Sequence, residues 1–112
     1  DYPKAPLDSY KKISMQLDNS IIDSVSIEDA HRYNDLTLLK DYKQTKVIFG
    51  VIKIASSKIE TIEEIEVRIV DALKNISKDQ LIAAPDCGLG HLSRDLAIKK
   101  LKIMSQAVKK FN

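Results

Sequence analysis

Leu81-Ile82-Ala83-Ala84-Pro85-Asp86-Cys87-Gly88-Leu89-Gly90 reads as a short apolar strand that breaks at a proline into a glycine-containing loop. Proline does not continue a sheet ladder, and glycine lets the backbone approach a ligand closely. Cys87, in that loop, is the only cysteine of the chain. A thiol at the exit of a strand is placed for chemistry, although a lone cysteine after an apolar run also serves simply as a small buried residue.

Outward from this segment, short apolar runs alternate with helical periodicities, the pattern of βαβ units on a parallel sheet. Three strands are expected, at Ile21 to Ile27, Lys46 to Ile54 and Leu81 to Ala84, and their mostly apolar character predicts burial on both faces. Helical stripes follow at Leu36 and Leu39, at Ile62, Ile65, Ile69, Leu73 and Ile76, and at Ala97, Leu101, Met104, Val108 and Phe111. Thr61 and Glu64 have the spacing of a capping box, and Asn34 and Ser93 are candidate N-caps. A further helix, from about Leu7 to Leu17, precedes the first strand.

At 112 residues and 44% hydrophobic composition the chain makes one domain with a modest core. The formal net charge is only +2, with both signs mixed along the sequence, which gives no reason to expect a nucleic-acid partner. Lys99, Lys100, Lys102, Lys109 and Lys110 read as the solvated face of the last helix. One cysteine excludes an internal disulfide, and no apolar stretch approaches the ~20 residues of a membrane span, so a cytoplasmic protein without membrane contact is expected. The chain opens at Asp1 with no signal region, as a piece of something longer would.

Three β/α units leave two sheet edges open, and small parallel sheets are normally closed or covered. Eight such units make a (β/α)8 TIM barrel of about 250 residues, and the length here fits three of the eight, so the expected fold is α/β, with residues 1–112 forming a partial barrel of three units behind one helix. Barrel chemistry sits at the C-terminal ends of the strands, here Glu28 and Asp29, then Ser56, then Asp86 and Cys87.

The stretches Ser26-Ile27-Glu28-Asp29-Ala30-His31-Arg32, Gly50-Val51-Ile52 with Ser56, Ile59 to Ile65, and Ala84-Pro85-Asp86-Cys87-Gly88-Leu89-Gly90 resemble the C-terminal part of the cobalamin-independent methionine synthase family. The resemblance runs from about Ile21 onward and implies a catalytic (β/α)8 barrel with zinc as cofactor. The family's ligands are a His-x-Cys pair, a Glu after the next strand and the Cys of Pro-Asp-Cys-Gly. By that match Glu28 and Cys87 are metal ligands, while the His-x-Cys pair has no counterpart in this chain. The implied activity is methyl transfer from 5-methyltetrahydrofolate to the thiol of homocysteine, in methionine biosynthesis. The rest of the parent barrel is then a required partner, and this piece alone is expected to bind zinc poorly and to be inactive.

Zinc takes sulfur, nitrogen and carboxylate ligands and holds a bound thiol as thiolate, so the implied chemistry suits these residues. Two alternatives stand beside it: a related thiol-alkylating enzyme with another acceptor or donor, and a non-catalytic α/β interaction domain. Around the ligands, His31 is expected to hydrogen-bond rather than to bind metal. Asp29 and Asp86 either orient ligands or cap turns. Arg32 is expected to bridge Asp29 or Asp35, and Gly88 and Gly90 to leave clearance for a ligand.

Overall fold

The computed structural model describes residues 5, 6 and 8–112. It contains helix α1 (Ser9–Asp18), strand β1 (Ser24–Ile27), a 3-10 turn (Leu36–Asp41), strand β2 (Lys46–Ile52), helix α2 (Ile62–Leu73), a second 3-10 turn (Lys78–Gln80), strand β3 (Leu81–Pro85) and helix α3 (Arg94–Lys109). The three strands form one parallel sheet in the order β1-β2-β3, as the alternating pattern predicts.

β2 is central because it carries the longest apolar run. Val47, Phe49, Val51 and Ile52 are buried, and they join Ile27, Ile65, Ile69, Ala72 and Ala107 in the core. The register puts Val25 and Ile27 beside Val47 and Phe49, and these beside Leu81 and Ala83, so one sheet face presents a continuous apolar layer to α2 and α3. The other face is different. Ser26, Ile48 and Ile82 align across the strands, and Ser26 and Ile82 are exposed. Burial on both faces therefore fails for this row, because no described element covers it. Such a row is what a barrel strand presents to the barrel interior.

Boundaries shift for identifiable reasons. β1 begins at Ser24 rather than Ile21, because Ile21 is fully exposed and β2 offers no partner before Lys46. β2 stops at Ile52 because the Lys53 N–H donates to the Glu60 carboxylate at 2.9 Å instead of to a neighbouring strand. β3 runs one residue further, to Pro85. The start of the expected first helix, at residue 7, lies outside the described residues, and the observed helix begins at Ser9.

Thr61 and Glu64 close a complete capping box, and Ser93 accepts from the Leu96 N–H. Asn34 does not cap the Leu36 turn. Asp35 does, accepting from the Thr37 N–H at 3.0 Å, while Asn34 is buried against Asp29. On α3 the buried face is rotated from the expected stripe. Lys100 and Ala107 are buried, with Ile103, Met104, Val108 and Phe111 beside them, whereas Leu101 is exposed. Lys100 is drawn inward by Glu60, so it does not belong to the solvated lysine face.

Candidate metal centre

Parallel strands bring Glu28, the loop carrying Ser56, and Asp86 with Cys87 to one edge of the sheet. Glu28, immediately after β1, is half-buried, and Cys87, two residues after β3, is exposed. The two segments flank β2, so two strand spacings of about 4.8 Å separate their chains. One side chain crosses that gap.

The Asp86 carboxylate lies over Gly50 of β2 and reaches the turn after β1. Its Oδ1 accepts the N–H groups of Asp29 at 3.1 Å and Ala30 at 3.0 Å. Its Oδ2 accepts the His31 N–H at 2.8 Å and pairs with His31 Nδ1 at 2.7 Å. The passage exists because residue 50 has no side chain: a Cβ there would stand 1.9 Å from Asp86 Oδ1. The β2–β3 register shifts between Gly50 and Ile52, and the Asp86 N–H bonds the Ile52 carbonyl at 3.0 Å, which turns the chain toward β1.

Around this bridge the turn is held from its other side. Asp29 is fully buried, accepts the Asn34 N–H at 2.9 Å, and forms a two-pronged ion pair with Arg68 of α2 through the guanidinium Nε and Nη2. The Asp29 carboxylate beside Arg68 holds that guanidinium above its already high pKa. Arg68 Nη2 also donates to the Asn34 carbonyl at 2.9 Å. Asp29 and Asp86 therefore both brace the turn.

His31 hydrogen-bonds, as expected. Its Nδ1 faces the Asp86 carboxylate at 2.7 Å and its Nε2 accepts the Ala55 N–H at 3.2 Å, so the Nδ1–H is directed at Asp86. Arg32 bridges neither Asp29 nor Asp35. It donates to the Ala5 carbonyl at 2.5 Å and stacks over Tyr10, because Arg68 already occupies Asp29. A Cβ at Gly88 or Gly90 would meet nothing within 4 Å, so both glycines border open space.

Ligand atoms of Glu28, His31 and Asp86 lie within 4.8 Å of one another. The hydrogen bonds decide how this trio is read. Both His31 nitrogens have partners, and the four acceptor sites of the Asp86 carboxylate meet four donors, so a metal held by those two residues would displace an existing network. Glu28 is the member of the trio outside that network. Arg68 and Lys100, which brace the turn and the neighbouring loop, were not anticipated from sequence, since a basic residue on an amphipathic helix carries no local sign of being buried. No helix of the described residues is long and apolar enough to cross a membrane.

The family profile described as "Cobalamin-independent synthase, Catalytic domain" matches residues 8–110. Among curated proteins, methionine synthases of Pyrococcus furiosus and Pyrococcus abyssi are 29% and 31% identical over 102 residues, covering 90% of this chain and 30% of their own length. The methionine synthase of Methanocaldococcus jannaschii is 33% identical over 103 residues, covering 84% of this chain and 33% of its own. A solved B12-independent methionine synthase from a Shewanella species, in complex with selenomethionine, superposes with a TM-score of 0.86 at 30% identity, over 91% of this chain and 30% of that one. The chain thus spans about a third of the length of the proteins it matches.

Proposed function

From the membership of this chain in the cobalamin-independent methionine synthase catalytic-domain family, we propose that it forms the last three β/α units of a zinc-dependent methyltransferase barrel and contributes two of the metal ligands, Glu28 and Cys87. The observation that carries the reading is their placement. A carboxylate and a thiol stand after the two outer strands of a parallel sheet, at the edge where barrels do chemistry, beside a sheet face that no described element covers.

The donor set fits zinc. Carboxylate oxygen and thiolate sulfur are both zinc ligands, and the exposure of Cys87 leaves its sulfur accessible to a metal. A catalytic zinc site uses three or more protein ligands with one position left for water or substrate, so other parts of the barrel must supply the rest. When bound, zinc supplies the charge that keeps a substrate thiol deprotonated near neutral pH. The substrate pair is homocysteine and 5-methyltetrahydrofolate: the sulfur–methyl bond forms as the nitrogen–methyl bond breaks, and that nitrogen takes up one proton in place of the one the thiol gave up, giving methionine and tetrahydrofolate. Within this chain, Glu28 and Cys87 hold the metal, and the Asp29–His31 turn fixes where Glu28 begins.

Metal analysis and a thiol-methylation assay on the native protein that carries this chain test the reading. Cys87→Ser and Glu28→Gln are expected to lower zinc content and abolish methyl transfer. His31→Gln and Arg32→Gln are expected to leave zinc bound, because their contacts are to Asp86, Ala55, Ala5 and Tyr10. Full zinc and full activity in Cys87→Ser would overturn the proposal and return Cys87 to a packing role.

A further inference from the structure

Asp86 is fully buried at its side chain, carries a carboxylate, and touches the segments of both proposed ligands. It immediately precedes Cys87, and it grips the backbone of the three residues that follow Glu28. A carboxylate in that position either binds metal directly or does something else. Four donors on four acceptor sites leave it no lone pair for a metal.

We propose that Asp86 is a positioning residue that presets the separation of Glu28 and Cys87 by clamping the Asp29–His31 turn across β2. The inference rests on the metal reading given above and adds to it how two ligands on non-adjacent strands are held in register. Hydrogen bonds to a charged acceptor are the strong ones, and three consecutive backbone N–H groups converging on one carboxylate tie the turn after β1 to the end of β3. Gly50 belongs to the same device, since any side chain there would occupy the carboxylate's path. His31 completes it, donating from Nδ1 to Asp86 while the Ala55 N–H holds its other nitrogen, so the loop after β2 is tied to the same carboxylate.

The inference separates ligation from positioning. In Asp86→Asn one carboxylate oxygen becomes an NH2 group that opposes the N–H donors it faces, so the clamp loosens while both proposed ligands remain. Metal affinity should fall roughly ten- to a hundredfold, the range for partners that orient metal ligands. Gly50→Ala, whose added methyl would displace the Asp86 carboxylate, should shift affinity the same way without replacing any carboxylate or thiol. In the cobalt(II)-loaded native protein, the thiolate-to-metal absorption should persist in Asp86→Asn at saturating metal and vanish in Cys87→Ser. Asp18→Ala, which loses carboxylate-to-backbone bonds at the opposite end of β2, controls for a general loss of stability and should leave metal affinity unchanged.

Several results would overturn the inference. Metal loss in Cys87→Ser and Glu28→Gln with none in Asp86→Asn would remove it alone. Equal weakening in Asp18→Ala and Asp86→Asn would reduce Asp86 to a stability role. Undiminished metal in Cys87→Ser and Glu28→Gln would remove the metal reading and this inference with it.

Discussion

Lys100 of α3 is fully buried and directs its ammonium at Glu60, with Nζ 2.9 Å from Oε2 and 3.1 Å from Oε1. The same nitrogen donates to the carbonyls of Lys53 at 3.1 Å and Lys58 at 2.6 Å. Glu60 in turn accepts the Lys53 N–H, so one helix residue fastens both ends of the loop between β2 and α2. That loop carries Ser56, and its Ala55 N–H holds His31. The last helix therefore reaches the candidate site without contributing a residue to it.

Removing one partner of a buried ion pair leaves the other uncompensated, which costs about 3–5 kcal/mol. Lys100→Met should lower the urea midpoint accordingly, and pairing it with Glu60→Gln should recover part of the loss. Amide exchange should quicken at Ala55 and Lys58 in the single variant. A loss below about 1 kcal/mol would mean the loop is held by something other than this pair.

The capping box at α2 gives a smaller, local effect. Thr61 accepts the Glu64 N–H at 3.1 Å, and Glu64 accepts the Thr61 N–H at 2.9 Å while pairing with Lys58. Thr61→Ala should cost about 1 kcal/mol, and Thr61→Ser should cost much less. Equal losses in the two variants would point to the threonine methyl rather than its hydroxyl.

The parts of the fold that local rules govern were legible in the sequence. The run Val47 to Ile52 specified a strand, Thr61 with Glu64 and Ser93 specified two helix starts, and the apolar run before Pro85 specified the third strand and the loop that carries Cys87. The misreadings came from partners far along the chain. Ile21 has strand-like neighbours but no ladder partner on β2, and Lys100 sits among exposed lysines while its partner, Glu60, lies 40 residues earlier. Asp29 is paired by Arg68, 39 residues on, rather than by Arg32 in its own turn. The clamp by Asp86 did leave one trace: a glycine inside an apolar strand marks a place where something comes close to the backbone, and Gly50 is such a residue.

Asp18 couples stability to pH. Burial pushes its carboxyl up, but N–H donation from Thr45, Lys43 and Gln44 outweighs burial and holds it at about 2, below the ordinary 3.8. A carboxyl lowered by folding stabilises the native state above its unfolded value, and that contribution is lost as pH falls from about 4 toward 2. The contribution is about 1–2 kcal/mol after solvent screening at the helix end. Asp18→Ala should therefore be less stable than the parent at pH 6 and nearly equal to it at pH 2, in denaturant titrations at each pH. A gap that stays constant across this range would assign the effect to packing.

The open row of the sheet supplies the last prediction, because one substitution should act with opposite sign in two settings. Ile82 is 44% exposed beside Ile48 and Ser26, and β1 and β3 each have one edge without a neighbouring strand among the described residues. Free edges next to uncovered apolar side chains promote pairing between chains, and a charge placed there opposes it. The 112-residue polypeptide on its own should self-associate in sedimentation velocity, and Ile82→Lys should shift it toward monomer. Within a complete barrel the same side chain would face the packed interior, where an unpaired ammonium is costly to bury, so there Ile82→Lys should destabilise the fold. A wild-type polypeptide that sediments as a monomer, or an Ile82→Lys variant that is harmless in the complete barrel, would show that this row of side chains does not line a barrel core.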